Sequence, residues 1–265
     1  MLICQLSDTH VTLPGKSLYG KVDTAAHLAA AVETVGRLNP RPDIVLVTGD
    51  LVDAGGAAEY THLRELLAPL SMPVFLIPGN HDHRGRLLDA FPDHAYLRQS
   101  LPFVQYAIED FPVRILALDT VVPGKPGGSL DETRLRWLEN KLAAAPVRPT
   151  IVMMHHPPFP TFIRWMDGMG LADPSGLHAI VKRNPQIERI LCGHLHRPIQ
   201  VRWAGTLASS APSTAHQVVL DLSADAPERF VMEPPAFQLH HWDAANGVVS
   251  HTAYVGNFGG PHAFG

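Results

Sequence analysis

The first 80 residues alternate short apolar runs with segments of helical pattern, and this alternation limits the possible folds more than any other feature. The apolar runs Leu2–Leu6, Ile44–Val47 and Val74–Ile77 have the length of strands. The segments between them, Thr24–Leu38 and Glu59–Leu70, carry apolar residues at helical spacing. Because two parallel strands need a crossover connection, which is usually a helix, the order strand, helix, strand, helix, strand predicts a parallel α/β unit.

The regular alternation of strands and helices ends after residue 80. Two strands are expected on either side of residues 109–112, which carry a proline and predict a hairpin. From residue 199 onward, short strands and turns dominate. The remaining elements are predicted as strands at Phe103–Ile108, Arg114–Leu118, Ile151–Met154, Arg189–Cys192 and Gln217–Leu222, and helices at Asp131–Ala144 and Leu177–Arg183.

Charge and composition narrow the classes of partner. A net charge of -4 gives no basic surface for a nucleic acid backbone, so no polynucleotide substrate is expected. No apolar run approaches the ~20 residues of a membrane span, and the apolar start is too short for a signal peptide, so a soluble cytoplasmic protein is expected. The two cysteines, Cys4 and Cys192, lie inside apolar runs and are predicted to be core thiols.

The residues with catalytic chemistry follow the predicted strands directly. In open α/β sheets, sites form beyond the carboxyl ends of the strands, so these side chains are expected to meet at one edge. Asp-x-His and His-x-His spacings direct both side chains of a pair to the same side of an extended segment. Glycines before three of the segments allow the backbone to approach closely. The residues are Asp8 and His10, Asp50, Asn80 and His81, His155, and His194 and His196.

Seven of these side chains form a donor set that indicates two metal ions. Oxygen and imidazole nitrogen donors without thiolate suit Zn, Mn, Fe or Co. Seven ligands are too many for one catalytic metal with an open position, whereas two metals roughly 3.5–4 Å apart can share a carboxylate. Asp50, from the middle strand, is the predicted bridge.

The five blocks of this pattern resemble those of the calcineurin-like metallophosphoesterases, and the match spans residues 3 to about 220. Within that superfamily the chain is similar to class III cyclic nucleotide phosphodiesterases and bacterial glycerophosphodiesterases, on residues 18–20, 77–82, 154–158 and 216–218. The resemblance implies a four-layer α/β/β/α sandwich of two mixed β-sheets. It also implies a catalytic domain over residues 1–222 and an extension over residues 223–265, which would be a cap, a dimerisation element or a loose terminus.

The resemblance also implies a role for each residue. The first metal would be held by Asp8, His10, Asp50 and His196, and the second by Asp50, Asn80, His155 and His194. His155 is preferred over its neighbour His156 because the family pattern is His-x-Pro and Pro157 fixes the register. His81 would contact the phosphoryl oxygens or the leaving group, and Asp82 would orient it. Substrate contacts are expected from Asn80, His81, His216 and Tyr19, the last of which either gates the site or only packs.

The expected function is hydrolysis of small phosphodiesters, either 3′,5′-cyclic nucleotides or glycerophosphodiesters, by water activated between two metal ions. The alternatives are a small-molecule phosphomonoesterase or phosphonate monoester hydrolase, and a non-catalytic scaffold of the same fold. A scaffold would be expected to have lost ligands, and none is missing here. The resemblance further implies a homo-oligomer. The histidines of the tail, His240, His241, His251 and His262, are predicted to be solvated or at an interface.

Overall fold

The computed structural model describes residues 1–264 of the chain. Its helices are α1 (Thr24–Gly36), α2 (Ala57–Leu67), α3 (Arg84–Ala90), α4 (Glu132–Ala144), α5 (Arg164–Asp167) and α6 (Ser175–Arg183), with a short 3₁₀ helix at Ala95–Arg98. Its strands are β1 (Leu2–Leu6), β2 (Ile44–Thr48), β3 (Val74–Ile77), β4 (Tyr106–Ile108), β5 (Arg114–Leu118), β6 (Gly128–Ser129), β7 (Thr150–Met154), β8 (Leu171–Ala172), β9 (Ile187–Cys192), β10 (Ile199–Trp203), β11 (Thr206–Ser210), β12 (Gln217–Val218), β13 (Phe230–Val231), β14 (Ala236–Asp243) and β15 (Gly247–Tyr254).

The first sheet has the order β15-β14-β1-β2-β3. Its strands β1, β2 and β3 run parallel, as the strand–helix alternation predicts. Strand β14 pairs antiparallel with β1, and β15 pairs antiparallel with β14. The sheet is therefore mixed, and its parallel half brings the carboxyl ends of three strands to one edge.

The second sheet has the order β10-β11-β9-β7-β5-β4. Its four inner strands are parallel to one another, and both outer strands are antiparallel to their neighbours. The antiparallel pair β4–β5 confirms the hairpin predicted around residues 109–112. Two further sheets of two strands each, β6–β8 and β12–β13, lie outside the main sheets.

Strands of the second sheet are buried on both faces, which shows how the layers stack. Ile115 and Ala117 of β5 pack in a cluster with both sheets and with α1 and α2. Leu116 and Leu118 of the same strand pack instead with α4 and α6. Because successive residues of a strand point to opposite faces, the second sheet lies between the first sheet and a helical layer. The predicted four-layer arrangement of two mixed sheets is confirmed.

The segment after residue 222 contributes β14 and β15 to the first sheet. Its strand pattern is weak because β14 carries polar residues on its buried face, among them Gln238 and His240, which form hydrogen bonds inside the protein. The prediction that His240 is solvated or at an interface is wrong, since this side chain is fully buried. A role of residues 223–265 as a cap or dimerisation element stays a prediction.

The structure shortens one predicted strand and confirms the prediction for the two cysteines. The strand predicted at Gln217–Leu222 is limited to Gln217–Val218, and Leu220 and Leu222 are exposed. Cys4 and Cys192 are free, buried thiols, as predicted. None of the helices in the described part of the chain combines the length and apolar character that a membrane crossing requires.

Candidate metal centre

The loops that follow five parallel strands deliver the candidate ligands to one edge of the two sheets. Five of these ligands have a backbone conformation in the left-handed region, which costs a residue other than glycine about 1–3 kcal/mol. Such strain persists only where surrounding contacts enforce it, and it is concentrated here. The residues and their φ angles are Asp8 (52°), His10 (42°), Asp50 (47°), His194 (71°) and His196 (48°).

One group of buried donor atoms lies between β1 and the loop after β9. His10 Nε2 and His196 Nε2 lie 3.1 Å apart. His196 Nε2 lies 3.5 Å from Asp8 Oδ1, and His10 Nε2 lies 3.6 Å from Asp50 Oδ2. Two carboxylates and two imidazoles thus converge on one small volume, where a cation fits better than a shared proton.

A second group lies on the other side of Asp50. His155 Nε2 lies 3.4 Å from Asp50 Oδ2 and 3.1 Å from Asn80 Oδ1. His194 Nε2 is buried and has no hydrogen-bond partner in the described part of the chain. An unpaired buried nitrogen costs about 1–3 kcal/mol unless a ligand occupies its lone pair. The carboxylate oxygen Oδ2 of Asp50 belongs to both groups.

Backbone carbonyls fix the tautomers of two of the histidines. His155 Nδ1 donates to Thr48 O at 2.8 Å, and His196 Nδ1 donates to His216 O at 3.0 Å. Because each ring uses Nδ1 as its donor to a carbonyl, Nε2 is the nitrogen that faces the centre and is available to a metal ion. Metal-binding histidines are commonly held in this way.

The pKa values of the candidate ligands are also those expected of a site that binds cations. Burial lowers the pKa of His194 to about 3 and that of His196 to about 4, so both rings are neutral. Burial raises the pKa of Asp8 to about 7, and the charge of Asp50 adds to this. Burial opposes ionisation of Asp50 as well, but His155 and His81 outweigh it and hold its pKa well below the usual value. His155 differs from the other two rings: burial lowers its pKa, but Asp50 outweighs this and raises it to about 9, so without a metal ion this ring carries a proton. Buried carboxylates that draw a proton onto a neighbouring ring form a site that positive charge stabilises.

His81 lies at the rim of the centre, and its ring is held by a residue that the sequence motifs do not reveal. Its backbone N–H donates to Asp50 Oδ1 at 2.9 Å, and its Nδ1 donates to Asp53 O at 2.7 Å. The carboxylate of Asp53 lies 3.6 Å from the same nitrogen and 3.7 Å from His10 Nδ1. Asp53 therefore lies between the candidate ligand His10 and His81 at the rim.

The expectation that Asp82 orients the His81 ring is wrong. The Asp82 carboxylate accepts hydrogen bonds from Gly79 N–H at 2.7 Å, Leu51 N–H at 3.0 Å and the Tyr60 hydroxyl at 2.9 Å. These bonds occupy both carboxylate oxygens. The turn closed by the Asp82 N–H and Gly79 O directs the Asp82 side chain back toward Gly79 and away from the His81 ring. Asp82 instead ties together the two loops that carry Asp50 and Asn80.

Both ring nitrogens of His156 are used away from the centre, whereas Nε2 of its neighbour His155 faces Asp50 and Asn80. Its Nε2 donates to Pro126 O at 3.1 Å, and its Nδ1 accepts from the Thr120 hydroxyl at 2.8 Å. The ring therefore anchors the glycine-bearing loop at residues 124–129. Pro126 of this loop lines the pocket.

The donor groups form the base of an open pocket of about 380 Å³. Tyr19 is 59% exposed and stacks on Phe230 with ring centroids 5.2 Å apart. His216 presents its edge to both rings. Tyr19 and His216 are candidates from the sequence, whereas most of the wall residues carry no motif and were missed. The missed lining residues include Trp165, Met166, Met169, Glu228, Arg229 and Phe230.

The glycines that precede Asp50, Asn80 and His194 are needed for close approach. A Cβ on Gly79 would collide with Asp50 Oδ1 and with the backbone nitrogen of Asp50, and would lie 2.8 Å from His155 Cε1. The expected closeness of backbone and ligands is therefore present.

Gly79→Ala is expected to destabilise the protein by about 1–3 kcal/mol, the usual cost of overpacking, and to weaken metal binding. Gly36 is the matched control, because a Cβ added there would meet nothing within 4 Å and the residue ends helix α1. Gly36→Ala should be neutral or stabilise by about 0.5–1 kcal/mol. Urea unfolding and metal content measure both effects, and equal stability of the two variants would contradict the close approach.

Comparison with known proteins is consistent with this geometry. Residues 1–198 match the calcineurin-like phosphoesterase family. The chain is 38% identical over 265 residues to a probable glycerophosphodiester phosphodiesterase of Arcobacter nitrofigilis, covering 100% of this chain and 97% of that one. It is 38% identical over 235 residues to a probable cyclic nucleotide phosphodiesterase of Rhodopseudomonas palustris, covering 88% and 85% of the two chains. A dimetal phosphatase from Danio rerio has a similar fold, with a TM-score of 0.69, 14% identity and coverage of 96% and 99%.

Proposed function

The chain belongs to the calcineurin-like phosphoesterase family, and we propose that it is a two-metal phosphodiesterase acting on small phosphodiesters. The observation that carries this proposal is the position of Asp50 Oδ2, within 3.6 Å of His10 Nε2 and 3.4 Å of His155 Nε2. A carboxylate shared by two donor groups at the base of a pocket is what a two-metal hydrolase requires. A scaffold that only binds other proteins has no use for it.

The proposed ligands divide along the two groups. Asp8, His10, Asp50 and His196 would hold one metal ion, and Asp50, Asn80, His155 and His194 the other. Zn, Fe, Mn and Co all suit these oxygen and nitrogen donors. Ions bound there would supply Lewis-acid stabilisation of the phosphoryl oxygens and a water molecule of lowered pKa.

His81 is the proposed proton donor to the leaving alcohol. Its Nδ1 is committed to Asp53 O, so its Nε2 is the nitrogen available to a substrate in the pocket. Asp50 and Asp53 outweigh the effect of burial and raise the pKa of His81, which favours the protonated ring that a general acid needs.

Asn80 and His216 are the proposed contacts to the phosphoryl group and its substituents. Asn80 Oδ1 faces His155, which leaves the amide Nδ2–H groups to donate toward the pocket. Burial lowers the pKa of His216 to about 3, so this ring is neutral, and its Nδ1 has no hydrogen-bond partner in residues 1–264. Tyr19, which packs against His216, would cover one side of the bound alcohol.

Glycerophosphodiesters are the first candidate substrates, since the relative from Arcobacter nitrofigilis is similar along the entire chain, including strands β14 and β15. Cyclic nucleotides are the second candidate. The pocket of about 380 Å³ has an aromatic wall at Tyr19 and Phe230 that suits a base. Assembly into a homo-oligomer and a cytoplasmic location stay predictions.

A substrate panel tests this function. Glycerophosphoethanolamine, cyclic AMP, bis(p-nitrophenyl) phosphate and p-nitrophenyl phosphate would each be assayed with Mn, Zn or Co added. We expect a higher kcat/KM for the diesters than for the monoester, and the highest for glycerophosphoethanolamine. An Asp50→Ala protein purified in parallel controls for contaminating phosphatases. Turnover of the monoester alone would contradict the proposal.

A further inference from the structure

The side-chain amide of Gln5 lies between the two sheets, directly beneath the metal centre. Gln5 is a residue of β1 and is fully buried. Its Nε2 donates to the hydroxyl of Thr48 on β2 at 3.0 Å and to the carbonyl of Cys192 on β9 at 2.9 Å. One amide group therefore joins strands of both sheets at the ends where their ligands begin.

Both partners of this amide are two residues away from candidate ligands. Thr48 precedes Gly49 and Asp50, and its carbonyl accepts the hydrogen bond from His155 Nδ1. Cys192 precedes Gly193 and His194. The Gln5 amide thus holds the backbone segments from which Asp50 and His194 project, and one of them in turn orients His155.

A residue near the other end of the chain sets the rotation of the amide. His240 on β14 donates from Nε2 to Gln5 Oε1 at 3.0 Å, and its Nδ1 accepts from the Ser250 hydroxyl at 2.7 Å. The ring is neutral, because burial lowers the pKa of His240 to about 3. If the Gln5 amide were rotated by half a turn, two N–H groups would face each other at His240 and two oxygens would face each other at Cys192.

We propose that Gln5 is a positioning residue for the second metal ion and that His240 fixes its orientation. The inference rests on the proposed two-metal function. An apolar side chain of the same size would fill the space between the sheets without the cost of burying an amide. The hydrogen bonds of Gln5 offset that cost, and they all lead either to a ligand-bearing segment or to His240.

Gln5→Met tests this role by replacing the amide with an apolar side chain of similar length, which leaves Cys192 O without this donor. Changing the outer partners of metal ligands typically costs about 10–100-fold in affinity. We expect a loss of that size for the second equivalent of zinc in a calorimetric titration, with the first equivalent unchanged. A variant that is generally destabilised would bind both zinc ions more weakly.

Gln238 is the matched control, because it is opposite Gln5 in the β1–β14 pairing and is also buried. Its side chain donates to Ser210 O at 3.4 Å and, within residues 1–264, forms no hydrogen bond with a ligand-bearing segment. Gln238→Met likewise removes a buried amide, and both zinc equivalents should bind as in the wild type. The role of His240 has its own test. His240→Leu should weaken the binding of the second zinc ion, and His240→Gln, which keeps a donor to Gln5 Oε1, should restore that binding.

A measurement on the wild-type protein does not depend on whether the variants fold. In a sample with ¹⁵N-labelled glutamine, the Gln5 side-chain NH₂ signals should shift on addition of the second equivalent of zinc, while those of Gln238 stay in place. Failure of the wild type to bind two zinc ions would overturn the proposed function itself. Two bound ions together with an unmoved Gln5 signal, or with equal effects of Gln5→Met and Gln238→Met, would overturn only the role of Gln5.

Discussion

Replacing Asp50 with alanine is expected to abolish turnover and to reduce the metal content from two ions per chain to at most one. Asp50 Oδ2 is the atom common to both donor groups, so its loss removes a ligand from each. The carboxylate also accepts the backbone N–H of His81, which places the proposed acid. The fall in kcat should exceed the roughly 10–100-fold loss of activity that follows removal of a residue that only orients a metal ligand.

Metal content by inductively coupled plasma mass spectrometry and kcat on glycerophosphoethanolamine measure this result. Asp131→Asn is a suitable control, because Asp131 caps helix α4, is not among the candidate ligands or pocket-lining residues, and asparagine caps equally well. That variant should keep both ions and full activity. If the Asp50→Ala protein kept two ions and wild-type kcat, the bridging assignment would be wrong.

His81→Gln is expected to lower kcat on glycerophosphoethanolamine by about 10²–10⁴-fold, the usual contribution of a general acid, without changing the metal content. The reason is that an alkoxide leaves poorly unless it is protonated, and His81 Nε2 is the free donor at the pocket rim. None of the proposed ligand atoms belongs to its ring.

The choice of leaving group separates acid catalysis from a general defect. On bis(p-nitrophenyl) phosphate, His81→Gln should lose much less activity, because p-nitrophenolate departs without a proton. His178→Gln is the control, since His178 is an exposed residue of α6 that packs on Trp203. Equal losses on both substrates would exclude the proton-donor role and leave His81 as a contact to the phosphoryl oxygens.

The places of the candidate ligands were predictable from sequence because local rules determine them. Each candidate ligand follows a strand, and the parallel strands β1, β2 and β3 are recognisable from apolar runs separated by helices. Their carboxyl ends meet whatever the rest of the chain does. The preference for His155 over His156 followed from the family resemblance, through Pro157. In the structure His155 Nε2 faces Asp50 and Asn80, whereas both ring nitrogens of His156 are bonded elsewhere.

Features that depend on distant pairing were not predictable. Strand β14 joins β1 across nearly the whole length of the chain, and the partners of its buried His240 are Gln5 and Ser250. A buried polar residue of this kind breaks the apolar alternation that identifies a strand. The pocket walls at Trp165 and Phe230 come from short segments without a motif, so only the folded chain brings them together.

The role of Asp82 shows why a motif alone does not give geometry. Adjacency in Asn80-His81-Asp82 suggested that the carboxylate orients the ring beside it. The turn directs Asp82 back toward Gly79 and Leu51 instead. Asp53, which is distant in sequence from His81 but close in space, takes the position that adjacency had suggested for Asp82.

The central claim is that two metal ions share Asp50. Anomalous diffraction from a crystal soaked in Mn²⁺ or Zn²⁺ tests it most directly. Two anomalous peaks are expected, roughly 3.5–4 Å apart, with one oxygen of Asp50 bound to both ions. A single peak, or two peaks of which one lies outside coordination distance of Asp50, would contradict the account.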